Sequence, residues 1–201
     1  RFGFEMTALN GHLYISNDSN VYQYFPNTNT WIEVKKLNKA RAGHQLVTLN
    51  GKIYAIGGRN TKTIECYNPN TNEWNFVVPS GVNYNYLSAT SHHNKLYVLC
   101  EDKFKVFDPE LKTWEDLPVC SNGINQKLIS INDRLVLINR GDLGVELNAL
   151  FEFDTINNSW NKLTDFDNNF FTSSIDQAVV VDFSETQLFS NSSSFFDEYF
   201  L

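Results

Sequence analysis

The stretch Leu49-Asn50-Gly51-Lys52-Ile53-Tyr54-Ala55-Ile56-Gly57-Gly58, followed by Tyr67-Asn68-Pro69-Asn70-Thr71-Asn72-Glu73-Trp74, decides the fold. Asn-Gly between two apolar runs is the strongest short-range hairpin signal, because a two-residue type I′ turn needs positive φ at both central residues. The second segment reads as another reversal: proline ends the ladder for want of an N–H, and asparagine tolerates the left-handed conformation. Two hairpins in succession predict four short antiparallel strands: one before Asn-Gly, one after it, one ending at Tyr67 and one starting near Trp74.

Working outward, the same arrangement recurs. The tryptophans are Trp31, Trp74, Trp114 and Trp160, spaced by 43, 40 and 46 residues, and seven residues before each lies an aromatic: Tyr24, Tyr67, Phe107 and Phe153. The upstream turn recurs as Asn10-Gly11, Asn50-Gly51, His93-Asn94 and Asn132-Asp133. A period of about 40 residues with four strands is a propeller blade, and a lone four-stranded meander cannot bury both faces. Neighbouring blades must therefore stack, and Trp31, Trp74 and Trp114 are expected to be buried against an adjoining repeat. The units are read as residues 1–38, 39–80, 81–120 and 121–165, followed by a partial fifth at 166–182 around Val179-Val180-Val181. Residues 183–201, rich in serine, phenylalanine and acids, are read as a tail.

With 201 residues, 42% hydrophobic and 14% aromatic, the chain has ample material for a core. No apolar run reaches the roughly 18 residues that span a bilayer as a helix. The net charge of −7 argues against nucleic-acid binding, which depends on phosphate neutralisation. Cys66, Cys100 and Cys120 form no C-x-x-C pair and are read as buried, reduced thiols, and the expected location is cytoplasmic.

The combination of Arg41-Ala42-Gly43-His44, the hairpin through Gly57-Gly58, Tyr67 and Trp74 resembles a kelch repeat, including its double glycine. The resemblance covers about residues 1–165. At the double-glycine slot the other units carry Asn17-Asp18, Cys100-Glu101 and Asn139-Arg140, where asparagine can supply positive φ. What the resemblance implies is an all-β, kelch-type β-propeller with four recognisable blades and part of a fifth. Because kelch propellers close with five to seven blades, it also implies a fragment or an open ring. In function it implies a protein-interaction module, like the substrate-recognition part of the kelch-like adaptors whose upstream BTB region engages a cullin-RING ubiquitin ligase. An actin-associated kelch scaffold is the alternative, and a metabolite-modifying kelch enzyme a more distant one.

No catalytic constellation is apparent. Gly57-Gly58 lacks the spacing and the helix of a phosphate loop, and neither G-x-S-x-G nor H-E-x-x-H occurs. His92 and His93 are read as solvated turn residues, not metal ligands. No enzyme activity, cofactor or metal is expected, and neither nucleic acid nor membrane is expected as a partner. Charge points to binding instead. Lys35, Lys36, Lys39, Arg41, Lys52, Arg59 and Lys62 lie in one stretch without an acid, whereas only Arg140 and Lys162 face eleven acids from residue 140 onward. In kelch propellers, by resemblance, the inter-blade loop and the loop after the double glycine open on one face. Lys35, Lys36, Lys39, Arg41, Arg59 and Lys62, with Asn60 as a hydrogen-bonding neighbour, are thus expected to form an exposed basic rim for a protein or an acidic peptide.

Overall fold

The computed structural model describes residues 4–59, 61–80, 87–100, 102–120, 125–140 and 149–165. The partial fifth unit, the tail and Asn60 lie outside the described residues. Sixteen strands and no helix occur within them.

The first sheet comprises β1 (Glu5–Leu9), β2 (His12–Asn17), β3 (Asn20–Phe25) and β4 (Thr30–Glu33), and the second β5 (Gln45–Leu49), β6 (Lys52–Ile56), β7 (Ile64–Asn68) and β8 (Glu73–Phe76). The third holds β9 (Ser88–His92), β10 (Lys95–Cys100), β11 (Lys103–Asp108) and β12 (Thr113–Leu117). The fourth holds β13 (Asn125–Ile131), β14 (Arg134–Arg140), β15 (Ala149–Asp154) and β16 (Ser159–Asp165). Each is an antiparallel meander in chain order.

Turn chemistry sets the register. Leu9 pairs with His12, Leu49 with Lys52, His92 with Lys95 and Ile131 with Arg134, leaving two residues per loop. Both loop residues have positive φ in all four sheets, including His93 (45°) and Asn94 (58°), as a type I′ turn demands. The second reversal places Asn29, Asn72, Lys112 and Asn158 at equivalent left-handed positions two residues before each tryptophan. In the third and fourth sheets Asp108 and Asp154 hold this loop by accepting bonds from the backbone N–H groups two and three residues on.

Core residues sit between sheets, as the alternation of a two-faced strand requires. Leu9, Tyr14 and Val21 of the first sheet pack on Leu46, Ile53, Ala55, Tyr67 and Trp74 of the second. Tyr54, Ile56 and Ile64 meet Leu96, Val98 and Phe107, and Leu99, Phe104 and Val106 meet Leu135, Leu137 and Phe153. The first strands of the sheets are also tied side by side. Thr7 and Thr48 hydroxyls lie 2.9 Å apart, Ala89 N–H donates to Gln45 Oε1, and Leu128 N–H donates to Ser88 Oγ. Hence β1, β5, β9 and β13 line a common axis.

The tryptophans divide. Trp74 is buried, and Trp114 and Trp160 are half-buried, but Trp31 is 49% exposed. The expectation for Trp31 is corrected, for a physical reason. Each of the later three indoles donates its N–H to a carbonyl just past the outer strand of the preceding sheet: Trp74 to Lys35 O, Trp114 to Val78 O, Trp160 to Pro118 O, at 2.8–2.9 Å. Trp31 lies on the first sheet, and no described sheet precedes it.

Candidate partner-binding face

Because the strands alternate in direction, β2, β6, β10 and β14 all run toward one end of the axis, the end that holds the link between the first two sheets. The two-residue turns occupy the other end. Lys39 and Arg41 lie on the link between the first two sheets, and Arg59 and Lys62 on the loop between β6 and β7.

Arg41 is not on the surface. Its side chain is fully buried and forms an ion pair with the equally buried Glu65, at 2.7 Å from Nη2 to Oε1. All five guanidinium N–H groups have acceptors: Glu65 Oε1 from Nε and Nη2, Gly57 O and Thr63 O from Nη1, and Thr63 Oγ1 from Nη2. The Glu65 carboxylate in turn accepts the backbone N–H of Asn38, the Asn38 side-chain amide and the backbone N–H of Lys39. A buried charge needs such pairing to offset its lost hydration. The expectation that Arg41 belongs to an exposed rim is therefore corrected: it ties the inter-sheet link to the second sheet.

The double glycine serves this knot. Gly58 has φ +105°, and a Cβ there would stand 2.9 Å from Arg41 Cβ, so no side chain fits. Arg59 N–H then donates to Ala42 O at 2.7 Å, binding the two loops together. His44 completes the link between sheets: Nε2 lies 2.6 Å from Ser16 Oγ, and Nδ1 lies 3.0 Å from Arg41 O. Burial drives the His44 pKa down to about 4. In the first sheet, Asp18 takes positive φ at the double-glycine slot, and Asp18 O receives the Arg41 N–H.

The exposed cations around this knot are Lys39, beside Glu65, and Arg59 and Lys62, on the loop that Arg41 holds. Lys35 and Lys36 are exposed but lie earlier on the link. The Lys35 backbone is fixed by Asn72 and Trp74 of the second sheet, and Lys36 pairs with Glu33 at 3.4 Å. Three cations thus share a hydrogen-bonded scaffold, with two more along its approach. Sequence reasoning missed Glu65. Its signal was an acid inside the apolar run Ile64-Glu65-Cys66-Tyr67, a position that asks for a buried partner.

Of the two histidines, one departs from expectation and one does not. His92 is not solvated: it is buried at 6% exposure, with Nδ1 2.9 Å from Ser130 Oγ of the fourth sheet. His93 is exposed, stacks on His92 and pairs with Asp133. The type I′ turn turns adjacent side chains along one path, which simple strand alternation does not foresee.

A family profile described as Kelch motif matches residues 40–81, the second sheet and the link leading into it. The human Kelch-like protein 6 is 36% identical over 104 residues, covering 48% of this chain and 17% of that protein. The mouse Kelch-like protein 35 is 25% identical over 184 residues, covering 82% and 31%. The zebrafish (Danio rerio) Kelch repeat and BTB domain-containing protein 8 is 31% identical over 127 residues, covering 59% and 21%. The chain thus spans less than a third of the length of these relatives. Among solved structures, that of YjhT superposes with a TM-score of 0.67 over 82% of this chain and 66% of its own, at 16% identity, which speaks to the fold alone. With four repeated antiparallel sheets and these likenesses, the chain has a β-propeller fold, carries a kelch motif over residues 40–81 and resembles BTB-kelch proteins.

Proposed function

We propose that this propeller is the substrate-recognition part of a cytoplasmic adaptor for a cullin-RING ubiquitin ligase. It holds a short acidic segment of its target on Lys39, Arg59 and Lys62, with Lys35 and Lys36 extending the path. The observation that carries this reading is the pair of loops locked by Arg41 and Glu65, which present exposed cations on a pre-organised backbone. The similarity to kelch-like and BTB-containing proteins supports a protein partner over a small substrate. Under this reading the propeller does no chemistry, and a BTB region elsewhere in the full product engages the cullin.

Two measurements test it. Titrating acidic peptides into the chain should give binding that weakens as salt rises, since exposed pairs are screened over about 8–10 Å at physiological ionic strength. Lys39→Glu with Arg59→Glu should weaken it further at unchanged thermal stability. Salt-insensitive binding, or none to any acidic peptide, sinks the recognition face. Failure of the full-length product to co-precipitate a cullin sinks the ligase assignment separately.

A further inference from the structure

At the opposite end of the axis, the two-residue turns of the second, third and fourth sheets line an open surface cavity of about 300 Å³. Its wall carries Thr48, Asn50, Ser91, Asn94, Ser130 and Asp133, together with the stacked His92 and His93. None of the wall residues is Lys or Arg. Two neighbouring cations are engaged away from it: Lys95 with Asp108 at 3.7 Å and Arg134 with Glu152 at 2.6 Å.

The wall is built to accept hydrogen bonds. The Asp133 carboxyl is held below the usual carboxylate range, first by its hydrogen bond with His93, and stays ionised around neutrality. His93 engages one carboxylate oxygen, Oδ1, and the Asp133 side chain stays 81% exposed, so the carboxylate can accept further donors. Asn50, Asn94 and Ser91 line the same wall, and the two asparagines are exposed. Burial, with the neighbouring His93, pushes the His92 pKa down, so its ring is neutral. The two imidazoles stack with centroids 3.9 Å apart, giving a flat π surface beside the carboxylate. A planar cation suits both features, because it can fork onto a carboxylate and lie against an aromatic face. An ammonium, a hydrated point charge, matches the carboxylate but not the plane.

We infer that this cavity is a binding site for a single guanidinium group, the arginine side chain of a partner protein. It lies at the end of the propeller remote from the basic loops and selects the opposite charge. It therefore stands independently of the ligase reading.

The test is a titration of the isotopically labelled chain with acetyl-arginine amide, followed through the side-chain amide signals of Asn50 and Asn94 and the ring signals of His92 and His93. Acetyl-citrulline amide, neutral but of the same shape, is the control. Expected is saturable binding of arginine in the millimolar range, at least about tenfold weaker for citrulline and at least about tenfold weaker after Asp133→Asn. Asparagine tolerates the positive φ of 61° at position 133, so this variant keeps the turn. Arginine methyl ester and an arginine-containing peptide should compete for the same signals. No saturable shift with arginine, equal binding of citrulline, or unchanged binding by Asp133→Asn would overturn the inference.

Discussion

Arg41 and Glu65 meet at 2.7 Å with neither side chain exposed, and between them they hold the link that joins two blades. Removing one member leaves the other charged, dehydrated and unpaired. Arg41→Ala should therefore cost about 3–5 kcal/mol in denaturant unfolding. Arg41→Met with Glu65→Leu should recover part of that loss, though not all, because Glu65 also satisfies the backbone N–H groups of Asn38 and Lys39. A single variant as stable as the parent would show that the pair is dispensable.

Equivalent tryptophans should differ sharply in worth. Trp74 is buried and donates to Lys35 O, so Trp74→Ala is expected to cost about 3–5 kcal/mol. Trp31, half exposed, should cost under about 1 kcal/mol in the same chain. Urea midpoints for the two variants settle the contrast, and equal losses would contradict the packing described.

The buried neutral His44 makes stability fall on acidification. Its folded pKa, about 4, lies below the ordinary 6.5, so the folded state resists taking up the proton that the unfolded chain accepts. The contribution is complete above about pH 6.5, is lost as pH falls, and levels off below about pH 4, amounting to about 3 kcal/mol. Unfolding free energies between pH 7 and 4 should show a shallower acid slope in His44→Asn than in the parent. Parallel slopes would rule out His44 as the source.

Lys112 occupies the left-handed position that asparagine fills in the other three blades, at φ 56°. Lys112→Asn should raise stability by about 1 kcal/mol, visible as a higher melting temperature, because asparagine tolerates that conformation where lysine is strained. A lower melting temperature would mean that the lysine side chain contributes something the turn geometry does not reveal.

How much of this was legible beforehand differs by scale. The hairpins could be read directly: Asn50-Gly51 and its counterparts specify two-residue turns through local backbone sterics, and even His93-Asn94, without glycine, adopts the same φ signs. The site was legible only in part. Arg41 stood in a run of bases and reads, one residue at a time, as one more surface charge. Its partner is 24 residues away, so nothing local separates a buried guanidinium from an exposed one.

The sequence by itself determined the strands, their pairing within each blade and the aromatic that recurs before every tryptophan, because all of these follow from alternation and turn chemistry over fewer than a dozen residues. Tertiary structure decided which charges face solvent, which tryptophan is covered and which histidines meet. Burial is a property of what stacks on a sheet. Trp31 and Trp74 carry the same local signal, and only the presence of a neighbouring blade, with its carbonyl at Lys35, makes one a core residue and leaves the other at the surface.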